Sequence, residues 1–529
     1  MFVPMDGEAP ANTAVSAAEM RYAIGFSVAP EDLARLKTLP LLAGLNAAKS
    51  AETRTYYDTP KRDLGQVGLG LSIRKDGLRA IETLEPLDAM GSGGFEQPVW
   101  RVKLPRPAPD LAPLEDVSQL KDVAQDKLKP VFTCRLNRSR VALQQDETAS
   151  IGLSFDSGFI RARDGRKLAV SEIEIELERG GPQSLFDLAR TLSENASLRL
   201  QMGSKAARGY AFAAVVPGKH GWVTERFGRI ALDRDMSAED ALAIVLRCCL
   251  RHMLANDRAA LAGDAEGVHQ MRVALRRLRV AFSLFKGLIP EEQRAWAVGE
   301  IKWLAAALGP GRNWDVFSEI VARVRKTFHE DLDLADLAKS IAAQQRGAYR
   351  GLRTALASRR YGEFALNLAA WIETRAWRRQ SPFETSVLQV SPVGSLADAL
   401  LEKRYRAVRK RARKFDQLDA EGRHALRIVV KKMRYAADVF ESVYAKKRVR
   451  RYVKSLEALQ DDLGLLNDIA TAETLARDLP LPKGKEEALS RAAALVTGWC
   501  GHTVTVRVPK LGKRLKQLRQ AEPFWHRPA

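Results

Sequence analysis

A twelve-residue segment occurs twice in this chain. Val268-His-Gln-Met-Arg-Val-Ala-Leu-Arg-Arg-Leu-Arg279 returns as Arg423-His-Ala-Leu-Arg-Ile-Val-Val-Lys-Lys-Met-Arg434. Both copies read His-x-x-Arg-x-x-x-basic-basic-x-Arg, and their histidines lie 155 residues apart. A second element keeps that offset: Leu308-Gly309-x-x-Arg312-Asn313 and Leu463-Gly464-x-x-Asn467-Asp468. A helix turns about 100° per residue, so His269, Arg272, Arg276 and Arg279 share one face. Met271, Leu275, Leu278 and Phe282 share the next. In the second copy His424, Arg427, Lys431 and Arg434 take the basic face, and Leu426, Val430 and Met433 the apolar one. Arg277 and Lys432 point elsewhere. A single helix of this kind is adequately explained as a solvated stripe. A long duplication that keeps the same charged face twice is poorly explained by solubility alone.

The charge distribution supports that reading. The chain of 529 residues is long enough for two or three domains. Its net charge is +21, yet residues 1–220 hold 29 Lys/Arg and 28 Asp/Glu, so residues 221–529 carry +20. An excess of that size in the duplicated part points to a polyanionic partner: nucleic acid, an anionic membrane surface or a phosphate polymer. Cys134, Cys248, Cys249 and Cys500 show no paired spacing, which argues against a disulfide framework or a zinc site. The N-terminus lacks the basic and apolar segments of a signal peptide. No apolar run approaches the roughly 20 residues of a membrane span. A reducing cytoplasm is the expected setting.

Read in order, residues 1–18 are small and polar and are expected to be disordered. From Arg21 to about Tyr210 strands dominate. They are expected at 21–28, 70–74, 78–84, 100–104, 134–143 and 151–155, with helices after Ala29 and over 183–194. Val170-Ser-Glu-Ile-Glu-Ile-Glu-Leu-Glu178 alternates strictly, placing Glu172, Glu174, Glu176 and Glu178 on one face of a strand. Many strands with few intervening helices predict an antiparallel α+β domain. Glycines and a proline over 214–236 mark a boundary. From Ser237 the pattern is helical. Helices are expected over 238–258, 265–287, 291–308, 313–327, 335–357, 361–379, 396–414, 420–443, 448–466 and 469–478. Pro382 and Pro392 mark a connection between halves, and Pro509–Arg527 reads as a loose basic tail.

The duplicated motifs, in this order and spacing, resemble the CHAD (conserved histidine alpha-helical) domain over about residues 230–520. That resemblance implies two pseudo-symmetric four-helix bundles, at 237–380 and 393–510, followed by a basic tail at 511–529. It also implies binding of inorganic polyphosphate and a place at polyphosphate granules. The implied binding residues are His269, Arg272, Arg276, Arg279, Arg312, His424, Arg427, Lys431 and Arg434. The chemistry suits them. Arginine offers a fork to phosphate oxygens, each charge-assisted contact contributing roughly 1.5–3 kcal/mol before desolvation. The basic faces carry no aromatic residue on which a base could stack. His269 and His424 read equally as phosphate donors or as helix-packing histidines. Asp315 and Asp468 read as partners that fix basic rotamers.

The N-terminal part resembles the CYTH fold of triphosphate-tunnel enzymes over about residues 19–215, with 216–236 as linker. The resemblance rests on Tyr56-Tyr-Asp-Thr-Pro60, Leu71-Ser-Ile-Arg74, Phe132-x-x-Arg135-x-x-Arg138-x-Arg140, Glu172-Ile-Glu-Ile-Glu176 and Ser204-Lys-Ala-x-Arg-Gly-Tyr210. It implies an eight-stranded antiparallel tunnel in which basic side chains bind a triphosphate and carboxylates hold Mg²⁺ or Mn²⁺. The family's opening Glu-x-Glu-x-Lys is replaced by Arg21-Tyr-Ala23-Ile-Gly25, Ser72 stands at a basic position, and Glu85 reverses a charge. Arg74, Arg135, Arg138 and Lys205 are left as phosphate ligands, and Asp156 as a further carboxylate. Glu172, Glu174 and Glu176 are left as a residual metal site or as a wall balancing arginine charge.

The leading expectation is therefore a polyphosphate-binding protein with a catalytically degenerate tunnel, needing no cofactor to bind. The alternative is metal-dependent hydrolysis of tripolyphosphate or a nucleoside triphosphate in the tunnel, with Mg²⁺ or Mn²⁺. A second alternative is nucleic-acid binding by the basic half.

Overall fold

The computed structural model describes residues 18–77, 79–88, 95–145, 147–214, 223–328, 332–379, 381–413, 415–480 and 484–526. The segment expected to be disordered, up to residue 17, and residues 216–222 of the expected linker lie outside them. The chain divides near residue 223 into two units, each described by itself.

The first unit contains β1 (Glu19–Ser27), α1 (Pro30–Leu36), β2 (Ala48–Asp58), α2 (Asp63–Gln66), β3 (Leu69–Asp76), β4 (Arg79–Pro86) and β5 (Glu96–Leu104). It continues with β6 (Lys129–Gln144), β7 (Ser150–Ala162), β8 (Lys167–Arg179), α3 (Pro182–Asn195), β9 (Arg199–Gln201) and α4 (Lys205–Ala214). Every pairing is antiparallel, in the order β5-β4-β3-β2-β6-β7-β8-β1, and β1 also pairs with β5. That last pairing closes an eight-stranded barrel, and β9 adds to the outer half of β1.

Side-chain parity divides inside from outside. On β8, Ile173 and Ile175 are fully buried on the outward face, which α1 and α3 cover. Glu172, Glu174 and Glu176 alternate with them and point inward. The inner surface is charged, so the stability of the barrel comes from the apolar layer outside it. Gly209 lets α4 lie close on β6: a Cβ there would meet the Phe132 ring at 2.0 Å. The same helix begins at Lys205, whose ammonium therefore enters the barrel.

The second unit is helical: α5 (Ala238–Ala262), α6 (Ala265–Leu284), α7 (Glu291–Thr327), α8 (Leu332–Ala357), α9 (Arg359–Glu373), α10 (Phe383–Val390), α11 (Val393–Ala412), α12 (Ala420–Phe440), α13 (Lys446–Arg477) and α14 (Glu486–Gln520). The first three helices of each copy start 155 residues apart, at 238 and 393, 265 and 420, and 291 and 446. Their caps repeat too. Asp264 accepts from Gly267 N and Asp419 from Gly422 N, both at 2.7 Å. Ser237 and Pro392, equivalent residues of the two copies, form a β-bridge with each other. Self-pairing of equivalent positions places the pseudo-twofold axis there.

Two features differ from the sequence expectation. α7 and α13 each run unbroken where two helices were expected, and α14 extends to Gln520 through Pro509. Proline removes one hydrogen bond, but buried stripes carry the helices across. Leu304, Leu308, Phe317 and Val321 do so in α7, and Leu511, Leu515 and Leu518 in α14. The basic tail is accordingly part of the fold. Phe524 and Trp525 are buried among Tyr405, Tyr444 and Tyr452. The copies also share one apolar cluster, built from Phe317 and Val324 of α7, Leu337 of α8, Ile469 of α13 and Leu489 of α14.

Candidate functional site

In the helical unit the basic faces of α6 and α12 meet. Arg276 Nη1 donates to the Tyr435 hydroxyl of α12 at 3.0 Å. Arg272 Nη1 reaches across to α7, donating to the Ala305 carbonyl at 3.3 Å, and Gly309 leaves room for it. Asp468 of α13 interacts with Arg427 and Lys431 of its own copy and with Arg312 of the other. Burial, followed by Arg276 and Arg427, pushes Lys431 down to about 7. Burial, followed by Arg276 and Arg312, brings Arg272 to about 10. Arg427 and His269 are shifted downward by the same causes, burial first. Burial also raises Asp468 despite its cationic neighbours. Arg427 Nε is buried without a hydrogen-bond partner among the described residues. Arg272, Arg276, Arg312, Arg427 and Lys431 thus converge, with Asp468 among them and Arg312 also paired with Glu319 at 3.1 Å. Such a cluster repels itself until an anion enters.

The barrel is organised the opposite way. Its cavity, about 510 Å³, is lined by Arg21, Arg54, Glu85, Arg138, Glu174 and Lys205 among others. Arg21 bridges Glu174 at 2.8 Å and Glu176 at 2.6 Å. Arg138 grips Asp156 with two bonds of 2.7 Å. Lys205 lies 2.6 Å from Glu172, 3.0 Å from Asp156 and 3.2 Å from Glu174. Arg208 holds the other oxygen of Glu172 at 2.5 Å, and Arg140 pairs with Glu176 at 2.7 Å. Burial alone would raise the pKa of Glu174, but Lys205, Arg21 and Arg138 together hold it well below the ordinary carboxylate range. Glu172, Glu176 and Asp156 are lowered in the same manner, cations offsetting burial. These residues do not fit a divalent cation. Arg21 occupies the space between Glu174 and Glu176, and no metal-binding group of three His, Cys, Asp or Glu occurs among the described residues.

With both geometries in view, comparison with known proteins decides the family. The CYTH domain model matches residues 19–210, and the CHAD domain model matches residues 244–477. The chain is a CYTH domain followed by a CHAD domain. It is 32% identical over 157 residues to an inorganic triphosphatase of Haemophilus influenzae, a match covering 30% of this chain and 44% of that one. It is 28% identical over 200 residues to an uncharacterised Mycobacterium tuberculosis protein, covering 36% of this chain and 37% of the relative. The chain thus spans less than half the length of the curated relatives it matches. A solved CHAD domain from Ricinus communis superposes with a TM-score of 0.48 at 27% identity, covering 57% of this chain and 98% of that one.

Within the CHAD half, the structure brings His269, Arg272, Arg276, Arg312, Arg427 and Lys431 together. Three expected residues stand apart. Arg279 is exposed, one turn beyond Arg276. Arg434 turns away to pair with Glu457 at 3.2 Å. His424 is exposed and shares a hydrogen bond with Asn467 at 3.2 Å. Asp315 corrects another expectation: its buried carboxylate is held by Gln345 at 2.6 Å and Tyr349 at 2.9 Å, not by a basic residue. Arg277 does not point into solvent. It pairs with Asp438 at 2.9 Å and stacks 3.9 Å from the Phe227 ring.

Within the CYTH barrel, Arg138, Lys205, Glu172, Glu174 and Glu176 face inward as expected. Arg135 does not. It has the opposite parity to Cys134, Leu136 and Arg138, and lies exposed on the outer surface. Arg74 sits opposite Arg54 in the register but does not line the cavity; its nearest acid is Asp76, at 4.0 Å. Arg140 and Arg21 were missed. Two-residue parity with Arg138 is enough to find Arg140. Arg21 stood out as a departure from the family's opening acid, but its ion pairs did not, because its partners lie about 150 residues away in sequence.

Proposed function

We propose that this protein binds inorganic polyphosphate in the cleft between α6 and α12. The observation that carries the reading is the convergence of five cationic side chains from both copies, with Asp468 and, at Arg312, Glu319 as their acidic neighbours. Each phosphate of a linear polyanion would take one or two charge-assisted hydrogen bonds from Arg272, Arg276, Arg312, Arg427 or Lys431. Pseudo-twofold symmetry suits a ligand whose two directions are chemically alike. His269 adds a donor at the edge of the cluster. Binding needs no metal, and the proposed setting is the cytoplasm, at polyphosphate granules. The test is calorimetric titration with long-chain polyphosphate at low and high salt, with duplex DNA as competitor at equal phosphate concentration. Submicromolar binding that resists DNA supports the cleft. Weak binding that DNA displaces and salt abolishes would indicate general counterion release.

Similarity to the Haemophilus influenzae inorganic triphosphatase favours a second reading, hydrolysis of a triphosphate in the tunnel with Mg²⁺ or Mn²⁺. The ion pairs of Arg21 weigh against it. Phosphate release from tripolyphosphate, measured with and without each metal, separates the two readings.

A further inference from the structure

The two copies do not carry the same charge. Residues 237–391 hold 23 Lys/Arg and 17 Asp/Glu, whereas residues 392–529 hold 30 and 16. Much of that difference is concentrated at the start of one helix. By the 155-residue offset, Glu291-Glu-Gln-Arg-Ala-Trp-Ala-Val-Gly-Glu-Ile-Lys302 of α7 corresponds to Lys446-Lys-Arg-Val-Arg-Arg-Tyr-Val-Lys-Ser-Leu-Glu457 of α13. The first segment has a net charge of −1 and the second of +5. Both build the same helix, so the fold does not require the basic version. Glu291 and Glu292 suit the positive end of a helix dipole; Lys446 and Lys447 oppose it, at a cost of about 0.3–1 kcal/mol each. A local rule broken without a structural gain marks a position kept for another reason.

The side chains form an ordered surface. Lys447, Arg450, Arg451 and Lys454 follow i, i+3, i+4, i+7 spacing and make one stripe, about 10 Å long from its seven-residue rise. With Lys446, all are exposed, and none makes an ion pair among the described residues. On the other side of the helix Val449, Tyr452 and Leu456 are buried and fix its orientation. A hollow of about 550 Å³ is lined by Lys446, Lys447, Arg450, Arg451 and Lys454. A neighbouring hollow of about 590 Å³ includes two acids, Glu441 and Glu457. Both are already engaged, by Arg229 at 3.0 Å and Arg434 at 3.2 Å. The tract and the cleft are joined through an ion pair between their two helices. Arg434 lies one turn beyond Lys431 on α12, and its partner Glu457 lies one turn beyond Lys454 on α13.

We propose that this face of α13 is a second phosphate subsite, which holds the part of a polyphosphate chain that extends beyond the α6–α12 cleft. The inference rests on the cleft reading and adds a length preference to it: chains long enough to reach both surfaces bind more tightly than short ones. The stripe presents cations and no exposed aromatic ring, which favours a bare phosphate polymer over single-stranded nucleic acid.

The test uses the full chain and the variant Lys447→Gln, Arg450→Gln, Arg451→Gln, Lys454→Gln, with folding checked by circular dichroism. Affinity is measured against polyphosphates of defined length and against duplex DNA. The variant is expected to bind long chains about tenfold or more weakly, with a shallower salt dependence, and short chains as the parent does. Equal weakening for all lengths would mean a general field, and no change for long chains would mean no subsite; either overturns the proposal. Loss of DNA binding alone would assign the face to nucleic acid and overturn it as well. The cleft reading is tested separately, by charge reversal within the cleft, and fails there if the short chains still bind.

Discussion

The cleft should take up a proton when it binds. Lys431 is buried and interacts with Arg276, Arg427 and Arg272, which lower its pKa, and with Asp468, which raises it; burial, the largest cause, brings it down to about 7 from the ordinary lysine value of 10.5. An entering phosphate supplies the missing negative charge and favours the ammonium form, so binding competes with deprotonation of the free site. From pH 7 to 8 the charged fraction of the free lysine falls about fivefold, and beyond pH 8 about tenfold per unit, which corresponds to about 1.4 kcal/mol of binding free energy per unit. Affinity for long-chain polyphosphate should therefore be about fiftyfold weaker at pH 9 than at pH 7, from the ratio of protonated fractions. Calorimetry at pH 8 in buffers of different ionisation enthalpy should report uptake of close to one proton. Lys431→Arg, whose charge persists across this range, should bind with most of the pH dependence removed. Long chains keep the titration of terminal phosphates negligible. Affinity unchanged between pH 7 and 9, with no buffer-dependent heat, would refute the placement of Lys431 in the binding cluster.

Further outcomes follow from the same contacts. Charge reversal of Arg272, Arg276, Arg427 and Lys431 together should abolish polyphosphate binding with the helices intact, while reversal of exposed Lys432 should not; equal losses in titration would mean that only net charge matters. Arg277→Glu should destabilise the helical unit by roughly 3–5 kcal/mol, because Asp438 loses its nearer cation, gains a like charge beside it and keeps only Arg434 at 4.0 Å; a denaturation midpoint like that of the parent would contradict the pairing. Arg21→Glu should remove the cation that bridges Glu174 and Glu176, leaving Lys205 on the one and Arg140 on the other, and add a third carboxylate, giving the barrel a Mn²⁺ affinity measurable by calorimetry; a parent that already binds Mn²⁺ as tightly would show that Arg21 does not block the site. Trp525→Ala should cost about 3–5 kcal/mol as a buried aromatic truncation; chemical denaturation would show no change if the terminal segment were loose.

How much of this was legible in the sequence depended on where each residue's partner lies. The duplication was visible, since its offset and its basic and apolar faces are local patterns repeated; the repeated aspartate caps were found in the structure. Strand β8 was visible because its outward face is apolar and its inward face acidic. Strand β2 was not, because Ser50, Glu52 and Arg54 line a charged interior and its alternation of polarity disappears. α7 and α14 exceeded expectation because proline's local penalty was outweighed by burial that only the tertiary fold supplies. Arg135 was placed in the tunnel by its motif and on the surface by its parity, and parity was the physical constraint.

The two sites differ in a way that net charge hides. The barrel holds arginines and a lysine as densely as the cleft does, but Arg21, Arg138, Arg140, Lys205 and Arg208 each end on a carboxylate of β7 or β8. A cation paired inside the fold has its counter-charge already and gains little from a second anion. In the cleft, Asp468 faces cations from both copies, Arg312 also pairs with Glu319, and burial deprives Arg272, Arg427 and Lys431 of solvent. Burial with unmatched charge lowers Lys431 and Arg272, whereas burial with matched charge raises Arg21 and Lys205. The sign of the shift follows from the counter-charge each buried cation finds within the fold: several carboxylates for Arg21 and Lys205, but Asp468 for Lys431 and Arg272.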